Sequence, residues 1–572
     1  MIGRFRFCIV ILTTLVGVVT SIPCVSAEPS DTLSYTFELL PGAPPSVRVI
    51  LQVRGETDGE SRLAVAPDWG GVQDCARFVH ELRVFDDQGR DCRVTTDDAA
   101  PHGWNVSHEP GASLTISYEL RTIDPSPLSD HHTQYEPVID TGLFHLIGET
   151  GLVYPEWLED RGDLAIQLAW AGFAENGWRT ASSFDDDDGI AVTSMPEFRH
   201  AVFLAGPHLR VYDRDLHGSA LRVAICGDDW EFTDSAMVAS VEKVIGIERT
   251  FFDDFSDPFF LVTVVPVGPR VSPNSIAMGG TGLTNCFALF IAPGTSLEPG
   301  SVHRTELLHL LAHEYFHHWN GAGEGIAMAE PEELVYWLSE GFTDFYASRL
   351  LLRAGLIRLS DWLAGTNKSI RELWTSPVAT APATTIQNEF WSDRSVHDLP
   401  YNRGEAVAIV LDQAIRDASD RERSLDDFMR AVLRDTRSGP AVTNDSLLAR
   451  IARWTSPELA TTLKQVVVDG GLPRLPMKLS EPPVHLEQAY TYVFDPGFNI
   501  DGSIQAGEAV DVRAGSAAFE AGLRNDQTLI GYSVHYGDTD QRIKLKAVQD
   551  KDTLTIEYLP RGDSTLIPVY RD

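Results

Sequence analysis

Along the first third of the chain, apolar residues return at every second position. SVRVILQV puts Val47, Val49, Leu51 and Val53 on one face, SLTISYEL does so with Leu114, Ile116, Tyr118 and Leu120, and ALRVAI with Leu221, Val223 and Ile225. A period of two belongs to strands buried on one face, and turn-rich stretches separate these runs, so residues 28–225 are expected to form a β-rich N-terminal domain. From about residue 226 the spacing changes to three and four. SVEKVIGIERTFFDDF, RTELLHLLAHEYFHHW, PEELVYWLSEGFTDFYASRLLLRAG and GEAVAIVLDQAIRDA all carry it, which predicts a mainly helical domain over 226–480. The third of these helices starts well at Pro331 among Glu330, Glu332 and Glu333, and Gly355 after Arg353 stops it. A Pro-rich join, LPRLPMKLSEPPVH, leads into a last unit, 485–572, where a short helix ending in Ala-Gly-Leu sits between strand-like runs. The fold class is multidomain α+β. At 572 residues the chain exceeds one core and has room for roughly three or four domains.

Composition narrows the function classes. Apolar residues make up 43%, a globular share, so disorder is not expected. The net charge is −36 with acids spread throughout, leaving no basic stripe for phosphates and excluding nucleic acid as a partner. Residues 1–27 have the layout of a secretory signal peptide. Arg4 and Arg6 precede the apolar FCIVILTTLVGVV, and Val25-Ser26-Ala27 offers a cleavage site. The apolar run is short for an uncleaved anchor, and no later segment is long and apolar enough to span a bilayer, so an exported protein, periplasmic or extracellular, is expected. Cleavage leaves Cys75, Cys92, Cys226 and Cys286. Cys75 with Cys92 is the plausible local disulfide, and buried free thiols are the alternative. The acidic run at 185–188 lacks calcium-loop spacing, because Phe184 and Met195 stand where acidic ligands are needed, and it reads as a solvated loop.

One stretch carries chemistry: LAHEYFHHWNG, residues 311–321. His313 and His317 are four apart on a predicted helix, so both imidazoles leave one face and can grip one metal ion. Glu314, beside them, can reach a water at that metal without being a ligand, which completes the H-E-x-x-H arrangement. With 17 histidines in 572 residues, chance produces the motif in on the order of a few per cent of such chains. Zinc needs a third protein ligand and an open fourth position. WLSEGFTDFY supplies Glu340 and Asp344, again four apart. Glu340 as third ligand gives a two-histidine, one-carboxylate site for one Zn2+, and Asp344 is set to accept the ring N–H of a ligand histidine, His313, and fix its tautomer. His309, one turn earlier, is expected to pack or to support rather than to ligate. His318 faces elsewhere, and Trp319 and Trp337 are expected in the core or the pocket wall.

HEYFHHWN followed by WLSEGFTDFY resembles the glycyl aminopeptidase family of zinc metallopeptidases, in the glutamate-zincin group with thermolysin and aminopeptidase N. The order of parts is similar too. The resemblance implies a β-rich N-terminal domain, a thermolysin-like catalytic domain over 226–480 and, from AVDVRAGSAAFEAGLRNDQTLIGYSV before DTLTIEYLP, a C-terminal PDZ-like domain that binds or positions a peptide. It implies peptide substrates. It also implies that Tyr401 in LPYNRGEAVAIVLD, with Arg403-Gly404, is the tyrosine of a Tyr-x-Lys/Arg-Gly element whose hydroxyl stabilises the transition state. Without the family, Tyr401 is one tyrosine at a helix start.

Three stretches depart from that pattern. IAMGGTGLTNCFALFIAP stands where the family has Gly-Leu-Glu-His, an edge strand lining the cleft whose glutamate holds the substrate's free α-amino group. Gly282, Thr284 and Asn285 are the corresponding substrate-binding positions, and Thr284 replaces the glutamate. Losing that charge-assisted contact costs roughly 1.5–3 kcal/mol, about one to two decades in binding. After the active-site helix, GAGEGIAMAEPEE replaces a basic, Pro-containing stretch, and Glu324 within it is an acid that could recapture the amine. FDPGFNIDG, where a PDZ carboxylate-binding loop would fall, only loosely matches Gly-Leu-Gly-Phe. The expectation is an exported zinc metallopeptidase, aminopeptidase-like in build. A zinc endopeptidase or blocked-peptide hydrolase is the alternative, and a non-catalytic peptide-binding protein is disfavoured by the complete set of His313, Glu314, His317, Glu340, Asp344 and Tyr401.

Overall fold

The alternating runs are strands with one sealed face: Val47, Val49 and Leu51 are 0% exposed, as are Ile116 and Leu120. They belong to a computed structural model that describes residues 32–572 apart from 41, 43–44, 98–99, 123–127, 129–132, 185–188, 274, 322–324, 330, 438 and 550–551. Residues 1–27, expected as a signal peptide, the acidic run 185–188, Glu324 and Glu330 lie outside the described residues. The central N-terminal sheet has six strands in the order Ile190–Thr193, Leu164–Ala171, Thr32–Leu40, Ser46–Arg54, Ser113–Leu120 and Val79–Phe85. Two four-stranded sheets and a two-stranded ribbon, Asp68–Trp69 with Val72–Gln73, complete that unit. All four of Cys75, Cys92, Cys226 and Cys286 are free thiols, so the local disulfide between Cys75 and Cys92 is not formed.

The end of the period-two region joins a different sheet from the one its pattern implied. Strands β1 (Arg210–Leu216) and β2 (Ser219–Ile225) open a five-stranded sheet with β3 (Phe259–Pro266), β4 (Met278–Leu283) and β5 (Cys286–Ile291), in the order β1-β2-β3-β5-β4. Alternation reports a buried face but not which neighbour a strand pairs with. Here pairing is decided by the parallel register of β2 on β3, with Leu221 opposite Phe260 and Ile225 opposite Val264. One face of the sheet (Ala224, Leu261, Ala288, Phe290) packs on the N-terminal strand Val202–Gly206. The other (Val223, Val262, Leu289) packs on the helices. Covered on both sides, β3 and β5 read as nearly unbroken apolar runs.

The helices follow the three-and-four spacing: α1 (Asp234–Phe252), α2 (Val302–Phe316), α3 (Gly341–Arg353), α4 (Leu359–Thr375) and α5 (Arg394–Ala418). Two differ from expectation. The helix predicted to start at Pro331 is broken into a 3-10 turn, Glu332–Val335, a short helix, Tyr336–Ser339, and then α3. Glu340 is the joint between them, yet Asp344 N still donates to Glu340 O at 2.9 Å, so the i,i+4 relation survives. Helix α5 begins earlier than expected. Asp393 caps it through Ser395 N and Val396 N, and Pro400 lies inside, so Tyr401 is two turns into the helix rather than at its start. The last unit has two three-stranded sheets and its own core, including Phe498, Leu523, Leu545 and Ile556. It is tied to α4 through Asn367 and the backbone of Tyr570. FDPGFNIDG runs directly into a helix, Ile500–Ala506. Among the described residues no helix is long and apolar enough to cross a membrane.

Candidate metal centre

Helix α2 lies beneath the edge strand β4, and α3 crosses behind it. The last turns of α2 present His313 and His317, and the joint before α3 presents Glu340. Their donor atoms converge. His313 Nε2 is 3.1 Å from His317 Nε2, and each is 3.4 Å from Glu340 Oε2. Among the described residues this is the one His/Cys/Asp/Glu group whose ligand atoms all lie within 4.8 Å of one another.

The opposite ring nitrogens fix the tautomers. His317 Nδ1 lies 3.3 Å from the carbonyl of Asn320, which can only accept, so Nδ1 carries the proton and Nε2 the lone pair. His313 Nδ1 is 2.7 Å from Asp344 Oδ1, whose pKa is lowered: burial opposes the charge, and His313 more than offsets it. Two imidazole lone pairs and a carboxylate thus face one point in a poorly solvated site, an arrangement that demands a cation. Tetrahedral zinc with bonds of about 2.0–2.1 Å holds its ligands about 3.3–3.4 Å apart, close to the separations found. Burial disfavours positive charge on His313, but Asp344 and Glu340 outweigh it and push the imidazole well above its usual range. The field that attracts a proton there also attracts a divalent ion.

Around this cluster the other groups are ordered by packing. Burial raises the Glu314 carboxyl while the two histidines pull it back, and its Oε2 is the nearest heavy atom, at 4.0 Å, to a Cβ placed on Gly282 of β4. The Tyr401 ring lies nearly parallel to His313, centroids 6.0 Å apart, and to His397 on its other side at 5.5 Å. Burial, then the carboxylates of Glu340, Asp344 and Glu314, keep its hydroxyl protonated and therefore a donor. What brings Tyr401 so near is a pair of glycines. A Cβ on Gly404 would lie 2.2 Å from Trp337 O and 2.7 Å from Gly341 Cα, so α5 touches the approach to α3 backbone to backbone. Arg403, buried beside it, donates through Nη2 to the carbonyls of Ala379 and Ala381 and so secures a loop rather than facing the metal site.

Other sequence candidates separate cleanly. His309 Nε2 is 3.9 Å from Asp344 Oδ1 and outside the donor cluster, and His318 pairs with Asp257 at 2.9 Å. Trp319 and Trp337 are core. Thr284 and Asn285 form the turn between β4 and β5 rather than its cleft-lining run, and Thr284 N donates to His200 O of the N-terminal unit at 2.7 Å. Gly282 is the substrate-binding candidate beside Glu314. Asn320 was not foreseen. Fully buried, it accepts a hydrogen bond from His317 Nδ1 on its main-chain carbonyl and donates from its side-chain Nδ2 to Leu338 O at 2.8 Å and Thr343 Oγ1 at 3.1 Å, bolting the end of α2 to the Glu340 joint. An amide just past an apolar helix end is its only sequence signal.

Residues 306–395 match the family profile described as M61 glycyl aminopeptidase. No curated protein matches the chain. Among solved structures, an aminopeptidase N family protein from Idiomarina loihiensis is similar in fold, with a TM-score of 0.68 at 16% identity over 93% of this chain and 97% of that one. An M1 zinc metallopeptidase from Deinococcus radiodurans gives a TM-score of 0.47 at 16% identity over 78% of this chain and 95% of that one, too low to argue from. The family match, falling on the segment that holds His313, Glu314, His317, Glu340 and Asp344, supports a peptidase, consistent with a zinc aminopeptidase-like enzyme.

Proposed function

We propose that the chain hydrolyses peptide bonds with one Zn2+ held by His313, His317 and Glu340. The observation that carries this reading is the convergence of those three donors, with both ring tautomers already set for ligation. A zinc ion there would supply Lewis acidity, lowering the pKa of water and polarising the scissile carbonyl. The protein's own groups account for the rest. Glu314, its carboxyl raised by burial, takes a proton from the attacking water at Oε2 and passes it to the leaving amine. Tyr401 donates its hydroxyl proton to the developing oxyanion as a hydrogen bond, in a site dry enough for that bond to count. Asp344 and the Asn320 carbonyl keep the two imidazoles turned with Nε2 inward. β4 offers its free edge to the substrate backbone.

A second reading, a zinc endopeptidase or blocked-peptide hydrolase, is favoured by Thr284, which sits in a turn and carries no charge for an α-ammonium group. Residues 1–27 support export, and Ala-Gly-Leu at 521–523, closing a short helix ahead of a strand, supports a PDZ-like reading of the C-terminal unit. The decisive experiment is Glu314→Gln. Turnover should vanish while zinc content by mass spectrometry stays at one per chain; near-normal turnover removes Glu314 from the mechanism.

A further inference from the structure

A cavity of about 920 Å3 opens beside the metal centre at Tyr401, His309 and Asp344. It runs between one face of α4, with Lys368 and Glu372, and one face of α5, with Asp398 and Glu405. The C-terminal unit roofs it through Phe494, Phe498 and Tyr536. No residue of β4 lines it, so it extends from the reactive centre away from the edge strand.

Its charges do not balance. Asp361 is engaged by Arg358 at 2.7 Å, and Asp501 takes the Tyr536 hydroxyl at 2.7 Å. Arg394 is spent on the roof, its guanidinium 4.0 Å from the centre of the Tyr536 ring. Two carboxylates remain outside any ion pair among the described residues, although Lys368, one turn before Glu372 on α4, shares the cavity wall. Glu405, 6% exposed, has only hydroxyl partners, with Thr366 Oγ1 donating at 3.2 Å. Glu372, half-buried under the roof, takes no hydrogen bond and forms no ion pair among the described residues, and a Cβ on Gly537 would lie 2.8 Å from its Oε1. Burial pushes Glu405 up to about 7 with no cation to oppose it, and raises Glu372 as well, although Lys368, Arg371 and Arg394 pull Glu372 partly back. Between them the wall is apolar, with Leu351, Leu373 and Leu399. Apolar sides with acids set among them suit a chain of methylenes carrying a positive head.

We propose that this cavity is a subsite for a basic side chain, lysine or arginine, on the part of the peptide that passes Tyr401, with Glu405 and Glu372 meeting its charge and the C-terminal unit closing it. The proposal rests on the peptidase reading and adds the substrate class. The test uses the zinc-loaded full chain and a peptide set that differs at one position, carrying lysine, norleucine or glutamate there, with that position moved stepwise along both sides of the scissile bond. At one position kcat/KM should favour lysine over norleucine by about tenfold or more, with glutamate poorest. Glu405→Gln and Glu372→Gln should each drive the lysine-to-norleucine ratio toward one. The ratio is internal to each protein, so a general loss of activity cancels; if Glu405→Gln does not fold, Glu372→Gln carries the comparison. A wild-type ratio near one at every position, or a ratio unchanged by the substitutions, overturns the subsite while leaving the peptidase standing. No cleavage of any peptide of the set by the wild type removes the peptidase reading itself, and the subsite with it.

Discussion

Replacing Gly404 by alanine tests how tightly the metal centre depends on the contact between α5 and the joint ahead of α3. The added Cβ would lie 2.2 Å from Trp337 O, 2.7 Å from Gly341 Cα and 2.9 Å from Trp337 C, all backbone atoms that cannot swing aside. Ordinary contact begins near 3.4 Å, so the two segments must part by about 1 Å. That motion carries Tyr401, three residues earlier on α5, away from Glu340 and His313. Overpacking of this kind costs about 1–3 kcal/mol in stability, and misplacing a reacting group by about 1 Å costs about 100-fold in turnover. The same chemical change at Gly246, on α1 with nothing within 4 Å of the added Cβ, should be neutral or stabilise by about 0.5–1 kcal/mol. Melting temperature and kcat on a chromogenic peptide, measured for both variants with zinc content checked, separate the cases. Gly404→Ala with wild-type turnover, or Gly246→Ala equally damaging, refutes the close-contact argument.

Asp344→Asn keeps shape but removes the charge that orients His313, so zinc affinity, measured by competition with a chelator, should fall about 10–100-fold; an unchanged affinity removes Asp344 from that role. His145 is fully buried, neither ring nitrogen has a partner among the described residues, and burial pushes its pKa down to about 4. The unfolded chain takes up a proton below about 6.5 while the folded chain refuses it until about 4, so stability is lost as pH falls through that window, by up to about 3 kcal/mol. Urea unfolding at pH 7 and 5 should show His145→Leu losing about 2 kcal/mol less than the wild type over that interval, and parallel losses would rule His145 out. On the proposed reading that Thr284 stands in place of an amine-binding acid, one peptide with a free and with an acetylated N-terminus should be cleaved at rates within about tenfold. A far larger preference for the free amine restores an aminopeptidase.

The donor set was legible because helical spacing is a strong geometric constraint: positions 313, 317, 340 and 344 form two i,i+4 pairs whatever the rest of the fold does. Strand faces were legible for the same reason, as Val47 and Ile116 illustrate. Pairing was not. Nothing in the alternation of Leu221, Val223 and Ile225 says that β2 lies parallel to β3, since that is settled by residues far away in sequence. The interior position of Tyr401 was hidden by Pro400, a residue that normally ends a helix and here is tolerated inside one. Asn320 and Gly404 were hidden for another reason. One acts through buried hydrogen bonds and the other through absent atoms, and neither leaves a periodic trace.

The sharing of β1 and β2 has a practical consequence for anyone dividing this chain. A fragment begun at residue 226, where the helical pattern starts, would leave β3 as a bare parallel edge along its whole length, apolar and unpaired. Such an edge invites pairing with other copies. The cut would also strip β4 and its turn of the N-terminal groups that hold them, Tyr135 at Gly280 O and His200 at Thr284 N. The smallest excisable peptidase therefore begins no later than β1, and the lip of its cleft still belongs to the part left behind.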